Sequence, residues 1–318
     1  MGDFLYFTGL LYGCLLAGWL IQKKYPKAVG ASKPLTKILL LGIESPSILL
    51  VYWGIKRSMF LGNIRISLAP ILISLVMGTV GIIVSGKLHP NRRFRGAFTM
   101  ASMVSNNGMT LGGFICLLLL GTEALRLAQM YTLFLLPYVV TVLFTIARSI
   151  NRTAKIGFIG GVKEAFRDPF MLFPLLAICV GIGLSMAEVP FPQELSTPLR
   201  VLVSMSVGGY SVSFGLSLNI RSFRTDFKTL ISMVPIKFVL GPLAGLGFAF
   251  LFGFTPQANP LAFKVILIQS MMPTAILSVI ISKIYDLDDQ IAISLWIFTT
   301  ILLAAVFPVF KLISGLQF

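Results

Sequence analysis

The sequence predicts an all-α membrane protein whose ten transmembrane helices form two inverted five-helix repeats. Three observations lead there. The 318 residues are 56% hydrophobic and 12% charged, with a mean hydropathy of +0.91, which is too apolar for a water-soluble domain. Ten apolar runs come close to the length of about 20 residues that a helix needs to cross a bilayer core. Basic residues collect in alternate connections between those runs.

The runs cover residues 4–21, 35–55, 64–86, 95–120 and 125–147, then 169–187, 196–219, 229–252, 261–283 and 290–313. The connections are short and leave no room for a soluble catalytic domain; the longest extends from Arg148 to Arg167. At the N-terminus, "MGDFLYF" carries Asp3 where a signal peptide has a basic region, so the first run reads as a retained span.

A formal net charge of +15 would suit a nucleic-acid binder, but its distribution points to the bilayer. Lys23, Lys24, Lys27, Lys33 and Lys37 occupy the first connection, and Lys87, Arg92, Arg93 and Arg95 the third. The fifth holds Arg148, Arg152, Lys155, Lys163 and Arg167, the seventh Arg221, Arg224 and Lys228, and the ninth Lys283. Fewer lie on the other side, at Lys56, Arg57, Arg65, Arg126, Arg200, Lys264 and Lys311. The positive-inside rule then places both termini outside the cytoplasm in a cell membrane, inner or plasma. The basic excess is an orientation signal, and no nucleic-acid partner is expected.

The chain aligns to itself at an offset of 165, pairing Asp3 with Asp168, Cys14 with Cys179, Gly18 with Gly183, Ser67 with Ser232, Pro70 with Pro235 and Ser105 with Ser270. Residues 1–150 and 168–318 thus form two halves joined by a cytoplasmic connection at 151–167. Because each half has an odd number of spans, the second enters the membrane from the opposite side. Such inverted repeats are typical of secondary transporters, whose substrate site lies near the midplane where discontinuous helices meet.

Interruptions fall at matching places. The fourth span is centred on "SNNGM" and the ninth on "QSMMPTA". Asn and Gly are weak helix formers, and Pro273 lacks a backbone donor. Freed backbone groups at that depth are tolerated only where the segment is buried or lines a cavity. This sets Ser105, Asn106, Asn107, Gly108 and Thr110 against Gln269, Ser270, Met272, Pro273 and Thr274 as a candidate substrate site.

Two charged residues lie inside spans. Glu44 sits at a depth where an ionised side chain costs about 2.5 to 3.5 kcal/mol, so it either binds a coupling cation, carries a proton or is paired within the bundle. Lys237 either attracts an anionic substrate, neutralises a carboxylate such as Glu44 or snorkels to the interface. Gly208, Gly209 and Gly215 in the seventh span favour close helix packing. His89 falls in a basic loop, and Asp286, Asp288 and Asp289 cap and orient the last helix. Cys14, Cys116 and Cys179 lack metal-ligand spacing, so neither a metal nor another cofactor is expected. No Ser/His/Asp constellation or phosphate loop is present, which argues against an enzyme. A multi-span receptor or an intramembrane enzyme is the alternative from other classes.

At this point the chain resembles the auxin efflux carrier family, which includes the plant PIN carriers and bacterial permeases and shares a superfamily with the bile acid:sodium symporters. The resemblance rests on "MPTA" from Met272, then "YDLDDQ", Ala292, Thr299, Thr300 and the "FP" of Phe307 and Pro308. "ESPSILL" in the second span and "FGLSL" at 214–218 are similar too. Asn107 and Gly108 stand in the crossover region, although the crossover proline of the fourth span is missing. The resemblance implies a scaffold of spans 1, 2, 6 and 7, which often dimerises, and a moving transport domain of spans 3–5 and 8–10. It also implies an elevator-type mechanism, with the fourth and ninth spans crossing at the substrate.

The resulting expectation is a secondary or facilitated carrier of a small organic anion, a carboxylate. Asn106, Asn107, Thr110, Gln269, Ser270 and Thr274 would supply hydrogen bonds, Met272 would contact the apolar body, and half-helix N-termini would attract the charge. No ATP site is visible, so the substrate's own gradient or a coupling ion, H+ or Na+, drives movement. A sodium-coupled symporter of the bile acid type is the alternative within transporters.

Overall fold

The computed structural model describes residues 2–150, 169–218 and 227–316. The predicted connection at 151–167 lies outside the described residues, as do Arg221 and Arg224. In chain order the helices are α1 (Gly2–Lys24), α2 (Pro26–Trp53), α3 (Arg57–Leu88), α4 (Arg92–Met103), α5 (Phe114–Leu120) and α6 (Thr122–Tyr131). Then follow α7 (Leu135–Tyr138), α8 (Phe144–Ile150), α9 (Pro169–Met186) and α10 (Gln193–Ser217). The last are α11 (Phe227–Leu251), α12 (Pro260–Ser270), α13 (Ile276–Ile284) and α14 (Asp289–Gly315).

The fold is all-helical, and the described residues hold one isolated antiparallel bridge, between Ser105 and Thr274. Six helices, α1, α2, α3, α10, α11 and α14, are long and apolar enough to cross a membrane. Shorter apolar helices occur at Leu111–Leu120, Thr141–Ile150, Leu172–Met186 and Pro260–Ser270. Large apolar side chains point outward, among them Leu5, Leu61, Leu243, Leu251 and Leu312, as faces that meet hydrocarbon require.

The predicted fourth span is divided into α4 and α5, and the ninth into α12 and α13. The fifth departs from a single helix as well. There the chain turns at 132–134, where the Leu133 and Leu135 N–H groups donate to the carbonyls of Met130 and Thr132. Pro137 within α7 has no N–H to rebuild a regular ladder across that turn.

The chain separates into two compact units. Unit 1 comprises Met1–Ile64, Gly108–Gln129 and Ala165–Asn219, and unit 2 comprises Arg65–Asn107, Met130–Glu164 and Ile220–Phe318. Each unit therefore gathers segments that are remote in sequence.

In unit 1, α1 and α10 approach backbone to backbone. A Cβ on Gly18 would strike the Val212 carbonyl, and one on Gly215 would strike the backbone of Leu15 and Trp19. Gly181 of α9 likewise fits against Tyr52 and the Leu49 carbonyl of α2. Lipid tails are as apolar as the helix faces, so close van der Waals packing through small residues does the work that hydrophobicity does in water. Hydroxyls add cross-links: Ser213 Oγ lies 3.0 Å from Ser32 Oγ and 2.6 Å from Thr36 Oγ1.

Unit 2 uses the same device. Gly78 and Gly81 of α3 make room for Met103 and Ser102 of α4, and Gly241 and Gly245 of α11 make room for Ser270 of α12. At the other end of α4, Arg93 pairs with Asp286, and its Nε donates to the Asp286 carbonyl at 2.6 Å. Asp288 caps α14 by accepting from the Ile291 N–H at 3.2 Å, the role expected of this acidic segment.

Gly18→Val and Gly215→Val should each lower the thermal unfolding temperature of the purified protein, because overpacking costs about 1 to 3 kcal/mol. Gly183→Ala, on a helix face with nothing within 4 Å of the added methyl, should leave it unchanged or raise it. Equal loss in all three variants, measured by detergent-solubilised melting, would contradict this packing.

Candidate functional site

The site in unit 2 begins with what a broken helix leaves unsatisfied. The last carbonyls of a helix have no intrahelical partner and carry its partial negative charge. At the end of α4, Val104 takes an extended conformation, φ −97° and ψ 115°, and the carbonyls behind it need donors.

Lys237 supplies them. It sits in the π-turn Ile236–Leu240 of α11 with its side chain wholly buried. Its Nζ donates to the Ser102 carbonyl at 2.8 Å, the Val104 carbonyl at 3.1 Å and Ser105 Oγ at 3.0 Å. An ammonium has three donors, and all three are matched.

The ninth-span segment completes the crossing. Asn106 N–H donates to the Pro273 carbonyl at 2.8 Å, and Ala275 N–H donates to the Val104 carbonyl at 3.0 Å. These bonds flank the antiparallel bridge between Ser105 and Thr274. Thr274 is held from two sides: its hydroxyl donates to the Ala101 carbonyl at 3.1 Å, and its N–H donates to Thr299 Oγ1 of α14 at 3.1 Å. Two extended strands only a few residues long thus satisfy each other where neither can continue as a helix.

The sequence-predicted residues divide by what their side chains have left to offer. Ser105 accepts from Lys237, Thr274 donates to α4, and Ser270 donates to the Leu267 carbonyl at 2.8 Å while packing on Gly245. Met272 is wholly buried, and Asn106 contributes its backbone N–H. Asn107 and Gln269 are different. Both are buried, yet Asn107 Oδ1 and both polar atoms of the Gln269 amide have no hydrogen-bond partner among the described residues. A buried polar group left this way costs about 1 to 3 kcal/mol.

Gly108 belongs to unit 1, where its carbonyl accepts from the Leu111 and Gly113 N–H groups at 3.3 and 3.0 Å at the start of the second half-helix. Its φ of −65° and the open space beside its Cα suit other residues too. The break therefore follows from the bonds made by 104–106 rather than from glycine's freedom. The side chain of Thr110 lies outside the described residues.

Lys237 does not snorkel, because its stem runs inward and its charge ends on the crossover. Glu44, in unit 1, accepts a hydrogen bond from the Tyr210 hydroxyl of α10. The signal for Lys237 was present as a lysine inside a span; its target was not, since backbone carbonyls carry no sequence signature. Thr299 entered the sequence reading through family resemblance, and its contact to Thr274 is supplied by the fold.

The described residues thus define a multi-pass helical membrane protein with a break at its buried centre. Residues 159–311 match the family described as membrane transport protein, the family of auxin efflux carriers and PIN-like transporters. That family transports and is not enzymatic. A comparison with curated proteins found no match. The family match runs through α9 to α14 and includes Lys237 and the whole ninth-span half of the crossing.

Replacing Lys237 by Met should be among the most destabilising single changes in unit 2, since it strips the Ser102 carbonyl of this donor, at about 1 to 3 kcal/mol, and the Val104 carbonyl of one of its two. Lys283→Met, on an exposed lysine, should shift thermal unfolding little. Comparable melting of the two variants would show that the ammonium does not hold the crossing.

Proposed function

We propose that this transporter moves a small organic anion, a carboxylate, through a site at the crossing of the fourth and ninth spans. The observation that carries the reading is the clustering of buried, unpartnered polar atoms, Asn107 Oδ1 and the Gln269 amide, with the buried lysine Lys237 at the same crossing. Lys237 has no donor left for a substrate, so its part is electrostatic. In a medium of low dielectric its charge reaches farther than it would in water. The N-terminal end of α13 adds positive potential of the same sign. Gln269 Nε2 supplies a donor for the carboxylate, Asn107 Oδ1 accepts from a hydroxyl or other donor on the body of the molecule, and Met272 gives that body an apolar contact.

Transport then follows alternating access in a ten-span inverted repeat. Spans 3–5 and 8–10 move as a transport domain against a scaffold of spans 1, 2, 6 and 7, through which two copies dimerise, in a cell membrane with both termini outside the cytoplasm. The substrate's own gradient or a coupling ion, H+ or Na+, drives the movement, and Glu44 is the candidate to carry the coupled charge.

Counterflow in proteoliposomes with a panel of labelled organic acids tests the site. Gln269→Leu should reduce counterflow by at least about tenfold, the loss expected when a hydrogen bond to a charged group is removed, and Asn107→Ala several-fold, the loss of a neutral one. The same Gln269→Leu change should preserve or raise thermal stability, because it removes an unsatisfied buried amide. Full transport in both variants, or loss of transport that tracks loss of folding, would refute the assignment.

A further inference from the structure

A cavity lies wholly within unit 1, where the connections that follow α2 and α9 meet α6. Its volume is about 630 Å³, in the range that holds a small molecule. Its walls are apolar and its charge is positive.

Arg126 of α6 is the centre of it. The residue lines the cavity, is 8% exposed, and has an Nε with no hydrogen-bond partner among the described residues. One guanidinium nitrogen pairs with Glu123, whose side chain is half exposed, and the guanidinium carbon lies 5.3 Å from the Phe191 ring centre. Gly54 is required here, since a Cβ would collide with the guanidinium. The glycine clears the space for a buried arginine whose charge one carboxylate balances but whose Nε is left without a partner among the described residues.

The surroundings are fixed in place. Trp53 donates its indole N–H to the Val189 carbonyl at 3.0 Å and stands edge-on to Phe191, with ring centres 5.7 Å apart. Ser185 Oγ donates to the Ile55 carbonyl at 2.5 Å. On the rim, Arg57 pairs with Glu188 at 3.3 Å, while exposed Lys56 has no ion-pair partner among the described residues. The charged groups facing the cavity thus leave one cation in excess, beside two aromatic walls.

We propose that this cavity is an anion site, which takes a carboxylate or phosphate group carried on an apolar body. Arg126 and Lys56 bind the charged group and Trp53 and Phe191 the body. Two sources offer that chemistry, a free organic anion and the headgroup of an anionic lipid. The proposal rests on unit 1 alone and does not depend on the crossing.

Trp53 reports on occupancy, with its emission isolated by subtracting that of a Trp53→Phe variant. The intact protein in nanodiscs of neutral phosphatidylcholine is titrated with hexanoate, and a second preparation contains phosphatidylglycerol. A saturable change with hexanoate in neutral discs supports the site with a free anion as its ligand; a change seen with phosphatidylglycerol alone supports it with a lipid headgroup. In either case Arg126→Gln should weaken the response by at least about tenfold, the effect of removing a hydrogen bond to a charged group. Lys56→Gln, on the exposed rim, should weaken it several-fold and keeps the test open if the arginine variant does not fold. No change with either ligand, an equal response to hexanol, or a response unaltered in Lys56→Gln and any folded Arg126→Gln protein would overturn the proposal. Counterflow is not the readout, so failure here leaves the crossing reading separate.

Discussion

The ammonium of Lys237 on the carbonyls of a broken helix is the interaction on which the rest of unit 2 depends. A chain within hydrocarbon must satisfy every backbone group internally, and a helix that stops in mid-span violates that rule at once. Lys237 answers it at one end of α4, with bonds to the Ser102 and Val104 carbonyls, and residues 273–275 answer it from the other side. Both sets of donors are needed because the Val104 carbonyl accepts from each. The crossing is thus held by a side chain and by a second backbone at the same atom.

Close packing makes that arrangement possible. Gly241 and Gly245 let α12 approach α11, and Gly78 and Gly81 let α4 approach α3. The lysine stem reaches α4 because these helices stand near enough for one side chain to bridge them. Small residues therefore act at one remove from the site: they set helix separation, separation sets the reach of Lys237, and that reach determines which carbonyls are satisfied.

Against this nearly complete satisfaction, the unpartnered amides of Asn107 and Gln269 stand out. A protein core selected for stability alone would replace them, whereas a binding site keeps groups whose partner arrives with the ligand. Unit 1 repeats the pattern on a smaller scale at Arg126. In both places buried polar atoms are left without a partner among the described residues.

Hydropathy, the matching "SNNGM" and "QSMMPTA" interruptions and the lysine inside a span made the all-helical membrane class and the place of the breaks legible in the sequence, and the family match over residues 159–311 agrees with the transporter reading. The sequence also pointed to Asp288 as a cap, because a capping bond is local. It placed the fourth-span break at weak helix formers, and the structure adds the bonds of residues 104–106 that hold it open. It left Lys237 between three roles and did not name the backbone carbonyls that its Nζ meets. Residue type and local spacing record what a segment does with its own neighbours; the partners of Lys237 lie 132 to 135 residues away and two are backbone carbonyls. Only tertiary structure, by bringing α11 against the end of α4, decides where that charge is used.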